Sequence, residues 1–194
     1  MPSSSQLLFL DTEFTDFINT ELISIGAVTE DGKHEFYAEV SDYRRASESQ
    51  FVKENIVPLL DGGSALMPLN EVSARFGSWV ESLPYNVKVC IDYSTDWELT
   101  LMLLHDVWPS NLEKEWLNVY ADMQLASILK CSGVGMSRPL ADVIRNTKDV
   151  FTKQFYEHFF VNKETPKYRQ HHALYDARAN REAWMAAMEY IKNL

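Results

Sequence analysis

An apolar run ends in two acidic residues in the stretch Leu7-Leu8-Phe9-Leu10-Asp11-Thr12-Glu13. The run predicts a buried β-strand, and because alternate strand residues share a face, Asp11 and Glu13 should point the same way as Leu7 and Phe9. Two carboxylates that are partly removed from water raise each other's pKa unless a cation neutralises them. Divalent metals with oxygen ligands are the natural cation. The stretch therefore indicates a metal site, with solvated acids beyond the end of a strand as the alternative.

Another acid stands near the C-terminus, in the segment His171-His172-Ala173-Leu174-Tyr175-Asp176-Ala177-Arg178. The segment opens a long helical pattern with residues at helical spacing, namely Ala173, Ala177, Trp184, Met188 and Ile191. Asp176 falls on a flank of this helix that is rich in small residues, which would let the helix approach a sheet closely. Burying a lone acid is costly, so we expect Asp176 to meet the same metal as Asp11 and Glu13.

Two histidines precede that helix. His171 is predicted to lie on a loop, where it could accept a proton from an attacking water, because the pKa of histidine lies near working pH. For His172 the sequence favours a solvated surface residue.

A third element lies in the middle of the chain. The segment 87–91 predicts a short strand, and Thr95-Asp96-Trp97-Glu98 opens a further helical pattern. Thr95 and Glu98 fit a capping box, which would place Asp96 at the first helical position. An acid there also interacts favourably with the helix dipole, so Asp96 has a purely structural explanation. Asp92, the first polar residue after the strand, is the alternative site acid.

Taken together, these motifs resemble the DEDDh 3′-to-5′ exonucleases, a group of the ribonuclease H-like superfamily that includes ribonuclease T, oligoribonuclease and polymerase proofreading domains. In this resemblance Asp11 and Glu13 match the first motif, Asp96 the second and Asp176 the third, and His171 matches the general base. The strings Asp-Thr-Glu-Phe at 11–14 and Glu-Leu-Ile-Ser-Ile-Gly at 21–26 are most similar to a small, stand-alone bacterial and phage subgroup described as exoribonucleases.

Two positions depart from the family pattern. The second motif usually carries an asparagine a few residues before its aspartate, whereas this chain reads Ile91-Asp92-Tyr93-Ser94-Thr95. Asp92 therefore stays open as an alternative to Asp96. His172 stands where the sister DEDDy group has its tyrosine, but His171 has the DEDDh spacing and is the expected base.

The resemblance implies a mechanism and a substrate. It implies two divalent ions, Mg²⁺ or Mn²⁺, held by Asp11, Glu13, Asp96 and Asp176, and hydrolysis of RNA or single-stranded DNA from the 3′ end to nucleoside 5′-monophosphates. Thr12, Phe14 and Phe17 are the candidate substrate contacts, the two rings by stacking on a terminal base. Core packing is the alternative for both rings. There are two alternative functions. One is a hydrolase of very short oligonucleotides or small nucleotides, and the other is a catalytically silent nucleic-acid-binding module.

The remaining pattern predicts an α/β fold with a mixed five-stranded sheet flanked by helices, as a ribonuclease H-like fold requires. After the first strand, further strands are expected at 21–29, 34–40, 87–91 and 117–121, and helices at 49–60, 70–83, 123–129 and 139–150.

Composition predicts a single domain over residues 1–194, with residues 1–5 as a disordered tail. The net charge of -10 is the wrong sign for holding a long phosphate backbone, so we expect contact with only a few nucleotides at a 3′ end. No apolar run is long enough for a membrane span, and cysteine usage favours a cytoplasmic protein with Cys90 in the core. A homodimer stays possible.

Overall fold

A computed structural model of the chain describes residues 5–133, 140–161 and 170–194. Most of the predicted N-terminal tail lies outside the described residues, as does position 139, the first residue of one predicted helix. Ser5 is described, and its hydroxyl donates a hydrogen bond to the Glu113 carboxylate.

The described residues form six strands and six α-helices. The strands are β1 (Gln6–Phe14), β2 (Leu22–Thr29), β3 (Glu35–Val40), β4 (Leu66–Met67), β5 (Val87–Ile91) and β6 (Leu112–Asn118). The helices are α1 (Gln50–Asn55), α2 (Leu69–Glu81), α3 (Ser94–Leu104), α4 (Val119–Gly133), α5 (Leu140–Phe160) and α6 (Ala173–Lys192).

The strands pair in the order β4-β3-β2-β1-β5-β6. The β1–β2 and β2–β3 pairs are antiparallel, and the β3–β4, β1–β5 and β5–β6 pairs are parallel. The predicted mixed α/β sheet is confirmed, with six strands instead of five. The additional strand, β4, has only two residues, too few to show the alternation by which a strand is recognised in a sequence.

Helices cover both faces of the sheet, and β1 contributes side chains to each. Leu8 and Leu10 belong to the core cluster that contains Phe76 of α2. Phe9 belongs to a second cluster, which contains Trp184 of α6. Since side chains alternate along a strand, Asp11 and Glu13 extend the Phe9 side and point toward α6, as predicted.

Two predicted elements differ from the structure for local reasons. The helix expected at 49–60 ends at Asn55, because Pro58 in the following 3₁₀ turn (Val57–Leu59) cannot donate a helical hydrogen bond. The strand expected at 117–121 is present as β6, but it begins earlier, at Leu112, and ends at Asn118. The Asn118 side chain accepts from the backbone N–H groups of Tyr120 and Ala121, at 3.1 and 2.9 Å, and so starts α4 at Val119.

The other predicted helices are present with different bounds. The expectation at 70–83 corresponds to α2, whereas α4 and α5 are both longer than the segments 123–129 and 139–150. Within the three described ranges, no helix combines the length and the apolar character that a membrane span needs.

Candidate active site

Parallel strands β1 and β5 are neighbours, so their C-terminal ends meet at one edge of the sheet. Asp11 and Glu13 stand at the end of β1, and Asp92 directly follows β5. Asp96 lies one turn farther on, in the first turn of α3. Carboxylate oxygens of Asp11, Asp92 and Asp96 all lie within 4.8 Å of one another. The structure therefore brings together the two residues that the sequence offered as alternatives for the second motif.

Helix α6 supplies the remaining acid. Asp176 lies in its first turn and is 8% exposed. Oxygens of Glu13 and Asp176 and a ring nitrogen of His171 lie within 4.8 Å of one another. All the sequence-predicted acids and the predicted base thus meet in one place.

Thr12 fixes the orientation of Asp96. The backbone N–H and the hydroxyl of Thr12 both donate to the same oxygen of Asp96, at 3.1 and 2.6 Å. Thr12 was a candidate substrate contact, but its side chain is 4% exposed and its hydroxyl is directed to Asp96. The Thr12 side chain therefore lies between strand β1 and the Asp96 carboxylate.

The predicted capping box at the start of α3 is wrong. The helix begins at Ser94, and the preceding Tyr93 occupies the cap position without a side-chain cap hydrogen bond. Thr95 consequently lies inside the first turn, too far along for its side chain to cap the helix. Asp96 stays in the first turn, where the helix dipole favours negative charge.

His171 is held against Asp176 by the backbone. Its φ is 75°, in the left-handed region that residues with a side chain seldom adopt. In this conformation its N–H donates to Oδ2 of Asp176 at 2.9 Å. The imidazole is half-buried, with its centroid 5.0 Å from that of the Phe51 ring. Local backbone geometry therefore couples the candidate base to one of the acids.

His172 is buried, and the expectation of a solvated residue is wrong. Its side chain is 3% exposed and stacks on Tyr37 of β3, with 4.3 Å between ring centroids. Tyr175 lies against it at 4.5 Å, and Nε2 stands 3.7 Å from the Asp61 carboxylate. Because α6 packs on β2 and β3, the residue just before its first turn is directed onto the sheet. His172 is thus separated from the cleft that holds His171.

Burial raises the pKa of every acid in the cluster, and repulsion between the acids adds to this at all of them except Asp92. Burial, followed by repulsion from Asp176 and Asp96, raises the pKa of Glu13 to about 9. Burial is also the largest cause at Asp176, whose pKa is raised to about 8, and at Asp96, whose pKa is raised to about 7 against the opposing hydrogen bonds from Thr12. The pKa values of Asp11 and Asp92 are raised for the same reason.

The donor set fits a divalent cation. Oδ1 of Asp176 is buried and has no hydrogen-bond partner within the described parts of the chain. Hard divalent ions take carboxylate oxygens, and positive charge would relieve the repulsion that raises these pKa values. At His171, burial lowers the pKa of the imidazole, which favours the neutral form that can accept a proton.

A cleft of about 370 Å³ opens over these groups. Its lining comprises Asp11, Thr12, Glu13, Phe14, Phe17, Asp92, Tyr93, Asp96, Phe155, Gln170, His171 and Asp176.

Aromatic rings form one wall of the cleft. Phe17 is 70% exposed and Tyr93 is 53% exposed, and their ring centroids lie 5.9 Å apart. Phe14 is half-buried against the core and supports Phe17 edge-on at 5.1 Å. Sequence reasoning missed Tyr93, although its position directly after Asp92 was a usable signal. It also missed Phe155, which comes from the distant α5 and has no local signal.

Comparison with known proteins rests on structure. No protein-family profile matches the chain, and no curated protein matches its sequence. One similar solved structure is described as "3'-end specific recognition of histone mRNA stem-loop by 3'-exonuclease", with 14% sequence identity and a TM-score of 0.56. The fold is ribonuclease H-like. The match covers 97% of this chain and 65% of the other, so this chain spans about two thirds of that protein's length.

Proposed function

We propose that the chain is a metal-dependent 3′-to-5′ exonuclease of the DEDDh family, with residues 1–194 as a single exonuclease domain. The observation that carries the proposal is the convergence of Asp11, Glu13, Asp96 and Asp176 with His171 in one cleft. The sequence order and spacing of these residues match the family motifs, and the fold is the one that such enzymes share. Fold alone would not support an activity, but this set of side chains does.

The carboxylates of Asp11, Glu13, Asp96 and Asp176 would hold two divalent ions, Mg²⁺ or Mn²⁺. When bound, such ions activate an attacking water and stabilise negative charge on the leaving oxygen. The raised pKa values of all four acids favour this assignment, because a scaffold gains nothing from buried carboxylates that repel one another.

His171 would act as the general base. The oxygen of water forms a bond to phosphorus, the bond from phosphorus to the 3′ oxygen of the preceding nucleotide breaks, and the proton of the water passes to the neutral imidazole. The leaving oxygen takes a proton from solvent, and the product is a nucleoside 5′-monophosphate. The hydrogen bond from the His171 backbone N–H to Asp176 would keep the imidazole beside the acids.

Phe17 and Tyr93 would bind the terminal nucleotides by stacking. Their exposed rings stand at the wall of the cleft, and base stacking on aromatic side chains tolerates any sequence. RNA is the favoured substrate, since the chain is most similar in its motif strings to stand-alone exoribonucleases. The structural neighbour, too, is described as recognising the 3′ end of an RNA.

A second candidate is a hydrolase of very short oligonucleotides. The net charge of -10 favours it, because binding a long phosphate backbone ordinarily relies on clustered basic residues.

One incubation separates these candidates. RNA and DNA oligonucleotides of two to thirty nucleotides, labelled at the 5′ end, are incubated with Mg²⁺ or Mn²⁺; the labelled strands are resolved by gel and the released nucleotides are identified by chromatography. The proposal predicts a ladder that shortens one nucleotide at a time, release of 5′-monophosphates, and no activity in Asp11→Asn. Cleavage confined to the shortest oligomers would select the second candidate. Internal cuts, or binding without cleavage, would refute both.

A further inference from the structure

We infer that Asp92 is a fifth carboxylate of the metal shell and that Asn180 positions it. The inference rests on the proposed function and extends it, since the four family acids and the base are already assigned. It concerns how one of the two ions is held before substrate arrives.

The acids and the base fall into two groups, of which the second consists of two carboxylates beside the base. One group is Asp11, Asp92 and Asp96, and the other is Glu13, Asp176 and His171, with the atoms of each group within 4.8 Å of one another. Without Asp92 the first group would offer carboxylates from only two residues. Asp92 comes from the end of β5, directly beside β1, so this third carboxylate is fixed by the sheet.

Asn180 is the independent observation at this position. It lies one helical turn after Asp176 on α6 and is 1% exposed. Neither its amide nitrogen nor its amide oxygen has a hydrogen-bond partner among the described residues. A buried amide without hydrogen-bond partners costs free energy. Its position on the face of α6 that meets the acids indicates that it interacts with a ligand or a charged group there.

The Asp92 carboxylate is the group that the Asn180 amide positions. The Asn180 side chain lies close enough to the Asp92 carboxylate for an electrostatic interaction, although the pair does not have the geometry of a full hydrogen bond. A donor amide beside a carboxylate orients it, as partners behind metal ligands commonly do. Asn180 is therefore a positioning residue, and Asp92 is the residue that contacts the ion.

The test is a titration of the full chain with Mn²⁺ in the absence of substrate, with free Mn²⁺ counted by electron paramagnetic resonance. The wild type should hold two ions. Asp92→Asn should weaken one of them by at least 10- to 100-fold, the range seen when even a supporting partner of a ligand is lost. Glu98→Gln is the control, because it removes one charge from an exposed position on the same α3 helix. Two unchanged affinities in Asp92→Asn would overturn the inference.

Asn180→Leu separates positioning from packing. Its affinity for the same ion should fall by roughly 10-fold or more, while the melting temperature of the metal-free protein stays equal or rises, because an unpaired buried amide has been removed. A lower melting temperature with unchanged Mn²⁺ affinity would mean a structural role and would refute the assignment. This variant also decides the matter if Asp92→Asn does not fold. Wild-type nuclease assays test the proposed function separately, since ion counting requires no turnover.

Discussion

The backbone of Leu174 lies directly on Gly26, with no room for a side chain between them. A Cβ at Gly26 would stand 2.1 Å from the backbone nitrogen of Leu174 and 2.3 Å from the carbonyl carbon of Ala173. Gly26 is also the cross-strand partner of Asp11 in the β1–β2 ladder. The start of α6 therefore sits over the strand residue next to the first acid, and this close approach is what brings Asp176 to Asp11.

Gly26→Ala should consequently damage the site as well as the fold. The atoms that the new Cβ would meet belong to the backbone of α6, which cannot rotate aside as a side chain can. Helix α6 must therefore move away and carry Asp176 and His171 with it. We expect the free energy of unfolding to fall by about 1–3 kcal/mol, the usual cost of overpacking. Activity and Mn²⁺ affinity should fall by more than this loss of stability explains, because the site acids are displaced.

Gly77→Ala in α2 is the matched control, since the nearest atoms to its Cβ would be the Val107 carbonyl oxygen at 3.1 Å, a Val107 methyl group at 3.3 Å and a Leu104 methyl group at 3.7 Å. Equal effects of the two changes would contradict this account.

Asp176→Asn should abolish hydrolysis and stabilise the metal-free protein. The amide keeps an acceptor for the His171 N–H but removes one of the repelling charges. Each kcal/mol gained should raise the melting temperature by about 2–4 °C in a domain of this size. Differential scanning calorimetry with EDTA measures the gain, and Asp149→Asn, at an exposed position on α5, is the control. Retained nuclease activity in Asp176→Asn would refute its assignment as a ligand.

The fold could be predicted largely because its elements carry strong local signals. The apolar run of β1, the segment 87–91 and the helical spacing of α6 were all sufficient, and the motif order supplied the arrangement. Strand β4 and the true start of α4 could not be predicted, since one has two residues and the other depends on how the Asn118 side chain bonds to nearby N–H groups.

The site residues likewise include some that the sequence could predict and one that it could not. The acids were recognisable because carboxylates at the end of an apolar strand have few structural explanations. His172 was misjudged because its ring stacks on Tyr37 and lies near Asp61, residues more than a hundred positions away in the chain. Contacts of that kind leave no local pattern in a sequence.

The metal-free protein should lose stability as pH rises through the neutral range. The pKa of Glu13 is raised from 4.5 to about 9, and that of Asp176 from 3.8 to about 8. Between the unfolded and folded pKa values the folded state binds more protons, so the free energy of unfolding falls with increasing pH. Urea unfolding in EDTA at pH 6, 7, 8 and 9 measures the slope. Glu13→Gln should flatten it, as should saturating Mg²⁺, and a slope of opposite sign would contradict the charge balance described here.

Phe17→Ala should weaken substrate binding and leave the chemical step nearly unchanged. Loss of one base stack costs about 1–3 kcal/mol, so KM for single-stranded RNA should rise by about 5- to 150-fold while kcat changes little. Ile18→Ala is the control, because Ile18 is 88% exposed beside Phe17 but does not line the cleft. A fall in kcat at constant KM would instead place Phe17 in positioning the scissile phosphate.

Replacing His171 and replacing His172 by alanine should have different effects. His171→Ala removes the proton acceptor and should lower kcat by about 10²- to 10⁴-fold with little change in metal affinity or melting temperature. His172→Ala removes a buried ring from between Tyr37 and Tyr175, so it should lower the melting temperature and reduce activity only as far as the start of α6 loosens.

The pH profile decides whether His171 is a base. Burial lowers the pKa of its imidazole, so wild-type kcat should already be high at neutral pH and fall only on the acid side. In His171→Ala the activity should rise toward high pH, because hydroxide then replaces the missing base. His172→Phe, which retains a ring for stacking, should restore most of the melting temperature lost in His172→Ala. If His172→Ala instead gave the pH-rescued loss of kcat and His171→Ala did not, the assignment of the base by spacing would be wrong, although the carboxylate site would stand.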